Sequence, residues 1–450
     1  MFWTFRRVRP PPGDRTERRP SVSILGMIMM LAAEGPGTGL ITNPAAVLGI
    51  LLAVLAIVFR TSESTRFRGF YRVVPALLLC YFIPGVLATS GLVADVDGRL
   101  YHVASRYLLP ACLVMLTMSA DLPSILKLGP KMLLVFVAAT IGVVLGAPLA
   151  VLIVGAISPD TIGGDGPDAV WRGLATLAGS WIGGGANQAA MKEVFSPSDD
   201  LFSATVAVDV IVANVWMGVL LWMAGANRSI DRLFKADRAA LEDLNRRLAD
   251  LERADPPRSA RTSDLMTIVA IGFAATGFAS LAGDGLAGWF EATQPWAARF
   301  SLNSRFFWLI VLATTIGVGL SFVRPVRKLE AVGASRIASV FLYLLVATIG
   351  LKMDLFAIGE RPGLFAIGAI WISFQAILVL GTTIILRAPI FFAAVGSQAN
   401  IGGAASAPVV AAAFDPRLAP VGVLLAVVGY ALGTYGAWLA AQLMRIASGG

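Results

Sequence analysis

Residues 179–193 read GSWIGGGANQAAMKE, and residues 396–406 read GSQANIGGAAS. Each stretch sets consecutive glycines among hydroxyl and amide side chains inside an otherwise apolar region. The first offers Ser180, Asn187, Gln188 and Lys192; the second offers Ser397, Gln398 and Asn400. Amide oxygens suit Na⁺, and amide nitrogens suit a carboxylate or hydroxyl. Lys192, four residues after Gln188, suits an anionic solute or a displaced cation, although a lysine near a segment end also snorkels to the interface. Gly183, Gly184, Gly185, Gly402 and Gly403 read as helix breaks. Glycine costs a helix about 1 kcal/mol relative to alanine. Irregular backbone survives at membrane depth only where protein or a water-filled cavity surrounds it. The alternative is close helix packing through small residues. Two clusters at matching places, each with amides beside it, favour a solute site.

Asp209 is the strongest candidate for an ion or proton ligand. It lies some eight residues inside an apolar run, about 12 Å deep at ~1.5 Å per residue, where charge is costly and usually functional. The alternative is a carboxylate held by hydrogen bonds or kept protonated. Asn214, five residues on, shares that site or bonds to a neighbouring helix. Asp121 and Asp354 are duplicated but stand at span ends, where turn capping competes with transport. Tyr430, Thr434 and Tyr435 line a pathway or pack.

Other chemistry finds little support. His102 is the only histidine, and Cys80 and Cys112 are two isolated thiols in apolar spans, so neither a metal centre nor a disulfide framework is expected. There is no phosphate-binding G-x-x-x-x-G-K-[ST] loop and no H-E-x-x-H. We therefore expect no enzyme, no cofactor, no metal beyond a transported Na⁺, and no nucleic-acid partner. A channel and a non-transporting membrane enzyme stay open as alternatives to a transporter.

The elements that must position these groups are membrane helices. The chain is 57% hydrophobic and 14% charged, with a mean hydropathy of +0.76; soluble domains carry about a quarter charged residues. Apolar windows predict ten ordinary spans: 40–59, 72–93, 103–126, 132–156, 201–224, 264–283, 305–323, 336–353, 363–385 and 418–444. The interrupted segments, 173–195 and 391–413, are long enough to cross or to turn back. Residues 1–35, with six arginines before a short apolar run, read as a signal-like extension or a start placed upstream of Met27, Met29 or Met30. Residues 225–263 form a charged linker with nine basic and seven acidic residues. Its Leu241, Leu244, Leu248 and Leu251 make one helical stripe, and Asp231/Lys235, Glu242/Arg246 and Asp243/Arg247 are helical pairs. This predicts a surface helix or, alternatively, a short coiled coil that would make a homodimer. The domain plan is thus 1–35, a first membrane repeat 36–224, the linker 225–263 and a second repeat 264–450. If both interrupted segments turn back, inner loops hold 21 of the 36 Lys and Arg and outer ones nine. This follows the positive-inside rule for an inner-membrane protein. Full crossing would instead put the N-terminal arginines inside.

The halves repeat one another. MSADLPSILKLGP (118–130) answers LKMDLFAIGERPG (351–363), aligning Asp121, Leu122 and Ile125 with Asp354, Leu355 and Ile358, and GSWIGGGA answers GSQANIGGAA. Five crossings per half invert the second repeat if the interrupted segments turn back, an arrangement typical of secondary transporters.

LAGSWIGGGANQAAMKEVF, VAVDVIVANVWMGVLLW, GSQANIGGAASAPVVAAAF and GVLLAVVGYALGTYGAWL resemble the YjcL-like integral membrane family over nearly all of residues 40–445. The first 35 residues and the linker depart from it. The resemblance implies membership of the cation-coupled symporter and antiporter superfamily, with two broken helices meeting near the membrane centre. More distantly, the Gly-rich segments are similar to those of sodium–glutamate and bile-acid–sodium symporters. The implied function is ion-coupled transport, by alternating access, of a small polar or anionic organic solute, with Na⁺ or H⁺ as coupling cation.

Overall fold

Apolar runs of this length leave few options: without water, only helices satisfy every backbone N–H and C=O within one segment. The computed structural model accordingly has helices and no strand among the residues it describes, which are 39–449 except 72–73, 96–97, 122–124, 238, 240, 242–243, 245–258 and 354–360, with one isolated bridge between Ile41 and Val93. The main helices are α1 (Pro44–Ser62), α2 (Ala76–Thr89), α3 (Arg99–Met118), α4 (Pro130–Ile157), α5 (Val170–Phe195), α6 (Asp199–Gly225) and α7 (Asn227–Leu233). After the linker come α8 (Thr262–Thr293), α9 (Arg305–Ser321), α10 (Ala334–Gly350), α11 (Gly363–Ile385), α12 (Ile390–Ile401), α13 (Gly403–Phe414) and α14 (Ala419–Ala447). Seven are long and apolar enough to cross a membrane, or nine if two bent helix pairs each count as a span. Each of the ten expected spans meets a helix, but α2, α9 and α10 fall short of the ~20 residues a lone span needs. Large apolar side chains such as Ile57, Val215, Trp222, Phe278, Leu281 and Ile385 face outward, as lipid-facing groups do.

Local chemistry marks the boundaries. Asn43 caps α1, its side chain accepting from the Ala45 and Ala46 amides, and Pro44 sits at the first turn where no N–H is needed. Ser198 caps α6 by accepting from Leu201 N–H. In α3 a π turn spans Ala104–Leu108, just before Pro110, whose missing N–H cannot return to the Arg106 carbonyl.

The helices pack in two groups, each drawn from both halves of the chain. One holds α1, α2, α3, α8, α9 and α10; the other holds α4, α5, α6 and α11 to α14. Contacts between the groups are sparse and run mainly from α5 and α14 to α3, α9 and α10. Within the second group α4 and α11 run antiparallel. Gly142 lies against Gln375, Gly146 against Trp371, and Thr161 beyond the end of α4 against Gly363 at the start of α11. The Trp371 indole donates to the Val143 carbonyl at 2.8 Å.

Both interrupted segments fold back. The α5 backbone leaves helical geometry at Gly183 (φ −136°, ψ 17°) and Gly184 (φ 68°, ψ −171°). Its two arms then lie side by side: Gly179 abuts the Asn187 carbonyl, Trp171 meets Phe195 with ring centroids 5.6 Å apart, and the Arg172 guanidinium donates to the Phe195 carbonyl. A straight 26-residue helix would hold its ends about 39 Å apart. The second hairpin is α12 and α13, turning at Gly402 and Gly403 (φ +55°), with Phe391 against Phe414 at 5.3 Å. The first hairpin opens beside the end of α4, where Arg361 meets Asp168 at 3.3 Å. The second opens beside its start, where the Ile390 amide donates to Asp231 and Lys131 pairs with Asp237 at 3.1 Å.

The linker begins with α7, and Ala239, Leu241 and Leu244 are helical again further on. α7 stops at Leu233 and Lys235 takes a left-handed φ of 50°, so Asp231 and Lys235 are not a helical pair. Asp231 turns instead to the base of the second hairpin. Leu244 is buried. Leu248, Leu251, Glu242/Arg246 and Asp243/Arg247 lie outside the described residues, as do residues 1–35 and Asp354, Leu122, Leu355 and Ile358.

Candidate functional site

The two hairpins enter from opposite ends of α4 and meet tip to tip. A Cβ on Gly403 would sit 3.7 Å from the Gly184 Cα. Gly184 occupies a region of backbone space that is essentially glycine-only, and Gly403 is left-handed, so the turn chemistry is built into the sequence at both tips. Gly185 is not part of the break: it begins the returning arm, with Leu77 of α2 as its nearest neighbour. Each tip ends one helix and starts another. Carbonyls without helical partners therefore stand beside amides without them, and such ends attract cations and anions respectively. α14 seals the junction. Its Gly429 packs on the Ile182 carbonyl and faces that of Ala399, while the Tyr430 ring lies over Gly184.

Asp209 of α6 is buried against the first hairpin. Ser180 Oγ donates to Oδ2 at 2.6 Å, the Trp181 indole to Oδ1 at 2.8 Å, and Gln188 Nε2 to Oδ2 at 3.1 Å. Ser180 and Trp181 belong to the entering arm and Gln188 to the returning one, so a single carboxylate ties both arms to α6. Tyr81 of α2 donates to Gln188 Oε1 at 3.3 Å, a hydrogen bond that carries this network into the other packing group. Trp181 can only donate, so Oδ1 accepts from it. No group of three or more metal-ligating side chains occurs among the described residues.

Asn187 completes the first tip. Its Nδ2 donates to the Gly183 and Tyr430 carbonyls at 3.1 and 3.0 Å, and Thr434 donates to its Oδ1 at 2.8 Å. At the second tip Asn400 plays the matching part. It accepts from Thr140 at 2.8 Å and donates to the Gly396 carbonyl at 3.0 Å. Ser397 is held by Trp216 and Gln375, each at 2.8 Å. Gln398 Nε2 reaches Ser406 across the hairpin at 2.7 Å, whereas its buried Oε1 has no hydrogen-bond partner among the described residues.

Two expected members stand apart. Lys192 is buried near the base of the first hairpin, with its ammonium on Asp199 at 2.7 Å and against the Phe202 ring at 4.5 Å. Asn214 returns its amide to its own helix, at the Val210 carbonyl, 2.6 Å away. A residue five positions from Asp209 is turned well away from it on a helix of 3.6 residues per turn. Asp121 pairs with Arg327 at 3.3 Å at a helix end, and Tyr435 meets Thr315 at 2.7 Å on an exposed face. Lys192 belongs to a charged cluster joining the two packing groups at that end. Tyr101 and Arg106 of α3 bond Glu193, and Lys352 lies 3.8 Å above the Tyr101 ring.

Residue types alone did not single out Tyr81, Trp181, Thr140, Trp216 or Gln375. Each is an ordinary packing residue until a partner distant in sequence arrives. A signal did exist for α14: Gly429, Gly433 and Gly436 form a small-residue stripe of the kind that admits close neighbours.

The fold and site define a multi-pass helical membrane protein with two glycine-tipped hairpins meeting inside it. The chain belongs to the family described as protein of unknown function (DUF819), whose model matches residues 49–447. It is similar to the uncharacterised membrane protein YjcL of Bacillus subtilis (strain 168), 24% identical over 352 residues, covering 76% of this chain and 83% of the relative.

Proposed function

We propose that the protein is an ion-coupled secondary transporter of a small polar or anionic solute, acting in the cytoplasmic membrane and not as an enzyme. The observation that carries this reading is the contact between Gly184 and Gly403. Helix ends presented at membrane depth are the recurring solute sites of secondary transporters. The antiparallel run of α4 and α11, which hold the same place in their halves, supports two inverted repeats, and so does the fold-back of both hairpins. Sparse contact between the packing groups supports alternating access by one group moving against the other, each group being built from both repeats. The unpartnered Gln398 oxygen supports a polar solute or cation at the second tip. These features favour the symporter and antiporter superfamily, with Na⁺ or H⁺ as partner.

The test is a thermal-shift screen of purified protein against amino acids, carboxylates and peptidoglycan fragments, with and without Na⁺. Uptake of the hits into proteoliposomes follows. Accumulation against a gradient that collapses with the ion gradient is the expected result. Flux that only equilibrates would make the protein a channel.

A further inference from the structure

The network around Asp209 has a direction. An ionised carboxylate accepts, so Gln188 must present its nitrogen to Asp209 and its oxygen to Tyr81, and Tyr81 must donate. We infer that Asp209 binds the coupling proton and that Gln188 relays its protonation state to Tyr81, a contact between the two packing groups. This deepens the transport reading and rests on it.

The step balances simply. A proton from water adds to Oδ2, neutralising the carboxylate and turning that oxygen into a donor. The single new O–H is directed at Gln188, while the Ser180 hydroxyl keeps donating to the remaining lone pair on Oδ2. To accept that O–H the Gln188 amide turns over, which points its nitrogen at Tyr81 and obliges the Tyr81 hydroxyl to accept. The inter-group bond is thereby reversed or broken. Returning the proton to water on the other face restores the first arrangement. Buried polar groups make such a switch sharp, because an unmatched donor in this setting costs about 1–3 kcal/mol.

The surroundings leave Asp209 as the titrating group. α5 contributes Ser180, Trp181, Gln188 and, one turn beyond, Lys192, whose ammonium is turned to Asp199. α2 contributes Tyr81 and the neighbouring thiol of Cys80, both buried. From α11, Trp371 stacks on Trp181 at 5.0 Å and Gly368 packs on Val208. The face of α6 toward α12 carries Trp216, bonded to Ser397. No ion pair reaches Asp209 among the described residues.

The experiment needs no solute. The full-length purified chain is stepped from alkaline to mildly acid solution and followed by infrared difference spectroscopy and by hydrogen exchange of α2 and the returning arm of α5. The proposal expects a carboxylic-acid carbonyl band in the native chain, absent from Asp209→Asn and present in Asp209→Glu. It also expects several-fold faster exchange in α2 on acidification. In Tyr81→Phe the band should remain while the acid response of α2 is lost. A band that persists in Asp209→Asn, or an α2 response unchanged in Tyr81→Phe, overturns the relay. Asp209→Glu, which keeps the acid, separates loss of the proton site from loss of fold. Because both readouts work without transport, failure here leaves the transporter reading standing, and absence of transport alone does not produce these spectral outcomes.

Discussion

The two hairpins share a backbone plan and differ in what pins them. In the first, one carboxylate collects donors from both arms. In the second, neutral groups do the equivalent work: Thr140 holds Asn400, while Trp216 and Gln375 hold Ser397. Glycine tips and amide clasps are common to both; a carboxylate that gathers both arms is found in one. The comparison teaches that the fold-back is a property of the tips and clasps, whereas a charged pin between the arms belongs to the first hairpin.

Removing the charged pin should have the largest effect. Asp209→Leu leaves three donors stranded at about 1–3 kcal/mol each. It should abolish monodisperse protein in size-exclusion chromatography or lower the melting temperature by many degrees. Ser397→Ala strands two neutral donors, Trp216 and Gln375, and leaves no carboxylate site vacant, so it should cost less, about 1–3 kcal/mol for each donor that finds no other partner. Equal losses would dissolve the distinction between the hairpins. Next comes the tip itself. Gly184→Ala forces a side chain into a glycine-only conformation at about 1–3 kcal/mol. Gly185→Ala, whose new Cβ would meet only Leu77 at 3.9 Å, should be neutral or slightly stabilising; thermal unfolding of the pair checks which glycine makes the turn. The clasps come third. Asn187→Ala and Asn400→Ala should destabilise by similar amounts, about 1–3 kcal/mol each, and a large gap between them would show that the hairpins differ in more than charge. Lys192→Met should leave any solute-induced thermal shift in place, since Lys192 faces Asp199 and not the tips; loss of that shift would return it to the solute site. The smallest effect lies at the mouth of the second hairpin. Hydrogen bonds from Arg417 hold the Asp415 carboxyl below the usual carboxylate range. Its contribution is therefore present above that range and lost as pH falls through the lowered value. Asp415→Asn should remove a slight acid-side loss of stability, read from melting temperature against pH.

Much of this was legible before any coordinates. Runs of apolar residues placed a helix at each expected span, with ends missed by as much as eight to ten residues at α3 and α8, because backbone satisfaction in lipid allows little else. IGGG and IGG marked both turns, because Gly184 and Gly403 adopt backbone angles that other residues resist. Asp209, Asn187, Gln188, Ser180, Ser397, Gln398 and Asn400 stood out as polar groups too costly to bury idly, and all lie at or beside the hairpins. Lys192 and Asn214 were drawn in by nearness along the chain, and each found a partner that proximity in sequence does not reveal.

Sequence by itself determined where helices run, where they break and which polar groups must be satisfied, since these follow from local covalent geometry and the expense of burying polar atoms. Only the tertiary structure decided that each broken segment turns back instead of crossing. A two-glycine break permits either course, and the choice was made by packing between arms and against α14, where Gly179 meets Asn187 and Gly429 meets Ile182. It alone also decided that Asp209 faces Ser180, Trp181 and Gln188, because those bonds join residues 21 to 29 positions apart, beyond the reach of any helical periodicity.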